Sequence, residues 1–150
     1  MKQKLVKVET QEQVDIFCKM EKDINLLFLS YAKQIGIDDN DLKQRCTTDY
    51  GMVYINDSNC HNYLIYDHDN VIGFVVYKID RSAYTQKTTL MLEELYIKPE
   101  YRDNGVGRNI IHYLQNKFTL PIELNCYYQA PAYEFYESLG GKKIQVRYLL

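Results

Sequence analysis

Of the 150 residues none is tryptophan, only 3 are proline and 7 glycine, and the 4 cysteines, Cys18, Cys46, Cys60 and Cys126, are far apart. The scarcity of proline and glycine, with 46% hydrophobic and 25% charged residues, excludes a disordered or collagen-like chain and suits one folded domain spanning 1–150. Without a Cys-x-x-Cys pair there is no zinc knuckle or thioredoxin-type motif, and the thiols are expected to be reduced. His61, His68 and His112 likewise form no compact metal-ligand pattern, so no metal is expected. No apolar run approaches the ~20 residues that span a bilayer. Eighteen basic and 20 acidic side chains leave no global positive field for nucleic acid. These absences point to a soluble, cytoplasmic protein with neither nucleic-acid nor membrane partners. No Gly-x-x-x-x-Gly-Lys-Ser/Thr sequence exists, and the glycine pair lies in the second half of the chain, which disfavours a nucleotide triphosphatase or a nicotinamide enzyme.

Tyrosine is abundant, with 15 copies. Its ring fills apolar space while its hydroxyl remains available, so Tyr96, Tyr101 and Tyr127-Tyr128 are candidates to line a cleft or to close a core with wet edges.

The segment Tyr101-Arg102-Asp103-Asn104-Gly105-Val106-Gly107-Arg108 carries the most information. It joins the apolar run Leu90–Ile97, ended by Pro99, to a helix whose stripe is Ile110, Ile111, Leu114 and Phe118. Gly105 permits dihedrals closed to other residues, and Gly107 permits close approach to the first helical turn. The first N–H groups of a helix have no internal acceptor and carry the positive end of its dipole, so a diphosphate can bind there, with Arg102 and Arg108 adding charge.

The remaining order is α/β. Leu5–Val8 reads as a short strand, and Glu12–Ala32 as two helical pieces with a boundary near Lys22–Asn25. Gly36–Asp41 reads as a polar loop and a short helix follows through Cys46. Asn62–Tyr66 and Val71–Ile79 form a hairpin about Asp67-His68-Asp69-Asn70, extended to a meander by Leu90–Ile97. Pro121–Tyr127 supplies another strand, Pro131 starts a helix with Ala132, Phe135, Tyr136 and Leu139 on its apolar side, and Gly140 suits the cap. Ile144, Val146, Tyr148 and Leu150 alternate with polar residues as in a final, partly exposed strand.

The run Leu92 to Gly107, with Arg102, Gly105 and Gly107 at an Arg/Gln-x-x-Gly-x-Gly/Ala spacing, resembles the signature of the GCN5-related N-acetyltransferase (GNAT) family. Ala132–Gly140 resembles that family's carboxy-terminal helix. The resemblance implies a mixed, mainly antiparallel central sheet flanked by helices and acetyl-coenzyme A as cosubstrate. It places the pantetheine arm on Leu95, Tyr96 and Ile97 and the diphosphate on Arg102, Asp103, Asn104, Gly105, Val106, Gly107 and Arg108. The implied acceptor is a small-molecule or peptide amine, and a homodimer is admitted. Tyr136 matches the family tyrosine that protonates the departing thiolate, with Tyr133 as the fallback. Glu93 matches the carboxylate that accepts the amine proton in polyamine-acetylating relatives, and Glu94 is the competing choice. Two departures stand out: Gln129 where many members have Asn, and Gly141 where Phe is common. They leave open a degenerate acyl-coenzyme A-binding regulatory module.

Overall fold

A computed structural model describes residues 2–150. Five strands lie in the order β1-β2-β3-β4-β5: β1 (Lys4–Lys7), β2 (His61–Asp67), β3 (Asn70–Arg81), β4 (Thr88–Ile97) and β5 (Ile122–Leu124). All neighbours are antiparallel except β4 and β5, which run parallel. That exception follows from the helix between them, because parallel neighbours need a crossover. The result is the mixed, mainly antiparallel sheet flanked by helices that the resemblance implied.

On one face lie α1 (Gln11–Gln34), α2 (Asn40–Thr47) and α3 (Gly51–Asn56). The α1 helix is continuous rather than two pieces. Neither proline nor glycine interrupts it, Thr10 and Gln13 form a reciprocal capping box, and Phe17, Met20 and Ile24 are buried along one stripe. The α3 helix has no counterpart in the sequence reading. Gly51 allows it to sit against α1, since a Cβ there would lie 2.9 Å from Cys18 Sγ. On the other face α4 (Val106–Phe118) buries Ile110, Ile111 and Leu114 against Ile65, Val75, Leu90 and Leu92. The helix α5 (Pro131–Ser138) follows β5 and leans on the same cluster through Phe135 and Tyr136.

β4 changes phase midway. Its pairing with β3 passes from Tyr77 opposite Leu92 to Val76 opposite Glu94, so Glu93 is the extra residue of a bulge. Before it, Leu90 and Leu92 join the α4-side core; after it, Tyr96 joins the α1-side core with Phe74 and Val76, while Leu95 and Ile97 pack toward α4. A flat strand would have kept Leu90, Leu92, Glu94 and Tyr96 on one face.

Two expectations fail. β5 stops at Leu124 instead of reaching Tyr127, because its pairing with β4 ends at Leu92 opposite Leu124. Residues 141–150 form no strand; the alternating Ile144, Val146 and Tyr148 are exposed and gain no ladder partner. Alternation makes a strand only where an edge offers hydrogen bonds.

The β3–β4 contact is closest at Gly73, where an added Cβ would stand 2.1 Å from Tyr96 O. Gly73→Ala is expected to destabilise the fold by about 3 kcal/mol, the upper end of overpacking costs. Denaturant unfolding checks this, and an unchanged midpoint would contradict it.

Candidate functional site

Beyond Leu92 the outer edge of β4 has no strand beside it, because β5 ends there. Main-chain polar groups alternate sides along an antiparallel strand. Lys98 N donates to Ile72 O at 2.8 Å, and Tyr96 O lies against Gly73. The even-numbered residues therefore face β3, and Leu95 and Ile97 face the open edge. Arg102 Nε donates to Ile97 O at 2.8 Å, consistent with that direction. Within the Leu95, Tyr96, Ile97 triad, the Tyr96 main chain belongs to β3 and its ring to the α1-side core.

The chain then passes a 3-10 turn, Pro99–Tyr101, and Asp103 at φ 61° before reaching Gly105 at φ 76°, the left-handed start of α4. No side chain caps this helix. Its first internal bond runs from Asn109 N to Gly105 O at 3.0 Å, so the amides of Val106, Gly107 and Arg108 find no acceptor within the helix. Gly107 also seats α5: a Cβ there would lie 3.1 Å from Phe135 Cζ.

The side chains around this cradle are partly committed. The Arg102 guanidinium also lies over the Tyr96 ring at 5.6 Å. Arg108 Nη2 donates to Ser138 Oγ at 3.3 Å, tying α4 to α5, and Asn104 Nδ2 donates to Arg102 O at 2.9 Å. The latter bond holds the bend that presents the amides.

Tyr136 stands on the cradle side, packed on the α4-side core with the Phe135 ring 5.0 Å away. Burial, and secondarily the neighbouring Cys126, raise its phenol above the ordinary tyrosine range. A phenol so placed stays protonated at neutral pH and can donate. Tyr133 instead meets Tyr128 edge-on and the Lys143 ammonium.

Gln129 occupies a left-handed conformation, φ 59°, which Asn tolerates better than Gln. The other departure is steric: a Cβ at Gly141 would lie 2.8 Å from Tyr136 O, so the turn after α5 leaves no room for the common Phe.

Glu93 projects from the bulge into solvent, whereas Glu94 is only 5% exposed on the α1 side. Tyr54 of α3 donates its hydroxyl to Glu94 Oε1 at 3.0 Å. Burial first, then the charge of Glu21, push the Glu94 carboxyl up to about 8 against the pull of the Tyr54 bond and Arg45. Sequence reasoning missed Glu21, Asn25 and Tyr54 altogether. A signal for two of them was present: Glu21 and Asn25 interrupt the apolar stripe of Phe17, Met20 and Ile24 on the buried side of α1.

The loop after β5 is tied across the mouth, with Tyr127 donating to Asp39 Oδ2 at 2.7 Å and its ring 5.8 Å from Phe28. Among the described residues no group of His, Cys, Asp and Glu has metal-site geometry, and no helix is long and apolar enough to cross a membrane. The four cysteines are unpaired.

The site thus joins the open edge of β4 to an uncapped helix that starts at a left-handed glycine. The acetyltransferase (GNAT) family profile matches residues 25–141; the chain belongs to that family. A search of curated proteins finds no match. Among solved structures, a tetramutant of a Bacillus halodurans protein has a TM-score of 0.71 at 15% identity, covering 100% of this chain and 99% of that one. An acetyltransferase from Thermus thermophilus scores 0.65 at 16% identity over 97% and 90% of the two chains. An aminoglycoside acetyltransferase from an uncultured soil metagenomic sample, solved with sisomicin, scores 0.61 at 12% identity over 99% and 95%. These likenesses concern the fold.

Proposed function

We propose that this chain transfers the acetyl group of acetyl-coenzyme A to a primary amine by direct attack. The observation that carries the reading is one continuous donor track: the free edge of β4 at Leu95 and Ile97 leads to the unpaired amides at the start of α4. An extended amide-bearing arm fits the first part and a diphosphate the second. Acetyl-coenzyme A supplies the activated thioester when bound.

The chain's own groups do the rest. Leu95 and Ile97 hold the arm, and the Ile97 amide polarises the carbonyl. Asp103, Asn104 and Gly105 shape the bend, while the amides of Val106, Gly107 and Arg108 receive phosphate oxygens. Arg102 and Arg108 brace the cradle and add positive charge. Tyr136 gives its proton to the departing sulfur, and Cys126 has no placed base that would make it a nucleophile. Glu93 takes the amine proton directly or through water, because an ammonium has no lone pair with which to attack. Its place on the bulge lies just past the last β4–β5 pair.

The test is release of free coenzyme A over an amine panel, with the product identified by mass. Saturable binding without release would instead indicate a regulatory module, and no binding would end the transferase reading. For Glu93→Gln the expected result is a kcat/KM about 100-fold lower near neutral pH, the low end of general-base contributions of ~10²–10⁴. The deficit should shrink as rising pH deprotonates the amine. An equal rate at every pH would remove Glu93 from the mechanism.

A further inference from the structure

The segment between β5 and α5 is held in its middle by one side chain. Asn125, Cys126, Tyr128 and Gln129 are exposed, and Tyr127 alone among residues 125–129 is half-buried. Its hydroxyl donates to Asp39 Oδ2 at 2.7 Å, and its ring lies 5.8 Å from that of Phe28 in α1. The other oxygen of Asp39, Oδ1, accepts the Leu42 amide at 2.9 Å as the cap of α2. One carboxylate therefore starts α2 and holds the β5–α5 segment. The Leu42 amide first, and the Tyr127 hydroxyl second, keep that carboxyl below the ordinary aspartate range, so the bond to Tyr127 is charge-assisted near neutral pH.

The partners it joins lie on opposite faces of the sheet. Phe28 packs with the α1-side core, whereas α5, which the segment enters at Pro131, leans on the α4-side core. A bond between them has to cross the sheet beyond the end of β5, beside the stretch of β4 that runs on alone through Leu95 and Ile97. A carrier seated on that edge and on the α4 cradle leaves the α1–α2 side as the way in for an amine, and the strap lies across it. We propose that Tyr127 and Asp39 form a latch over the acceptor entrance, so that these two residues select amines by size. The inference rests on the transferase reading for what passes through; the latch itself rests on the bond.

Opening of the latch has a local signature. Ala130 is buried, its amide donates to Tyr127 O at 3.2 Å, and Gln129 at φ 59° closes that turn. When Tyr127 leaves Asp39 and Phe28, the turn loses its outer anchor and the Ala130 amide is exposed to exchange with solvent. The Leu42 amide keeps its bond to Asp39 in either state. Leu124 stays in the sheet, so β5 and the core beneath it need not move. Lids of this kind admit substrate and release product in steps separate from the chemistry.

The experiment measures residue-resolved amide exchange by NMR, and acetyl transfer, on the intact wild-type protein and on Tyr127→Phe, which keeps the ring and removes only the hydroxyl. Exchange at Ala130 is expected to quicken about 10-fold or more, the rise in open population that loss of a hydrogen bond to a charged group brings. Exchange at Leu42 should not change. In the same variant kcat/KM for 3,3-diphenylpropylamine relative to that for butylamine should rise by about the same factor, because the bulkier amine needs the wider opening. Asp39→Asn keeps a helix cap and should move both readings in the same direction by less. Unchanged exchange at Ala130 in Tyr127→Phe overturns the proposal, and so does an amine ratio equal in the two proteins. Failure of the wild-type protein to acetylate either amine strikes the transferase reading instead, and the exchange rates, which need no turnover, still decide whether the latch exists.

Discussion

Tyr136→Phe should lower kcat by about 10²–10⁴-fold, the usual contribution of a positioned general acid, while coenzyme A affinity stays within a fewfold. The ring remains and only the oxygen is lost, so the packing of α5 on Gly107 and the α4-side core survives. That separation matters, because α5 also forms one wall of the cradle. A truncation such as Tyr136→Ala would mix catalysis with collapse of the wall. The half-buried phenol, held above its ordinary range by desolvation, is neutral throughout the working pH window and changes charge only as it donates. Turnover measurements, paired with calorimetric coenzyme A binding, decide the matter: undiminished kcat in the Phe variant would remove Tyr136 from the acid role.

The second large effect concerns stability and pH. Glu94 has a carboxyl pushed from 4.5 up to about 8 in the folded chain. Below about pH 4.5 both folded and unfolded chains hold its proton, and the group has no effect on the equilibrium. Between about pH 4.5 and 8 the unfolded chain releases the proton and the folded chain keeps it, so stability falls as pH rises. At roughly 1.4 kcal/mol per tenfold change in proton affinity, the full span is on the order of 5 kcal/mol. Glu21, raised chiefly by burial, acts in the same direction. Glu94→Gln removes the ionisable group and keeps an acceptor for Tyr54, so its stability should lose most of this slope. The wild-type protein should be clearly weaker at pH 8.5 than at pH 5.5, and the variant much less so. Parallel slopes in urea titrations at the two pH values would refute the buried, neutral Glu94.

The cradle was legible from residues alone because its parts are local. Arg102, Gly105 and Gly107 lie within one bend, and the uncapped amides follow from any helix that begins at a left-handed glycine. The hairpin at Asp67–Asn70 and the helix started by Pro131 were readable for the same reason: turn and cap chemistry act over a few residues. Errors arose where the outcome depended on distant partners. The tail from Ile144 alternates like a strand and pairs with nothing, and the supposed break near Lys22–Asn25 is an unbroken helix. The polar residues Glu21 and Asn25 there are buried within the helix and mark no boundary.

What the order of amino acids determined by itself was family, fold class and the uncapped, glycine-started helix, because motif spacing and short-range backbone chemistry carry all three. Tertiary structure alone decided that β4 bulges at Glu93 and that Leu95 and Ile97 face an edge β5 leaves open. It also decided that Glu21 and Asn25 are buried within α1 and that Glu94 is buried against Tyr54. The physical reason is that desolvation and pairing belong to the space between elements: a carboxylate on a strand is ordinary until a helix some seventy residues earlier in the chain removes its water.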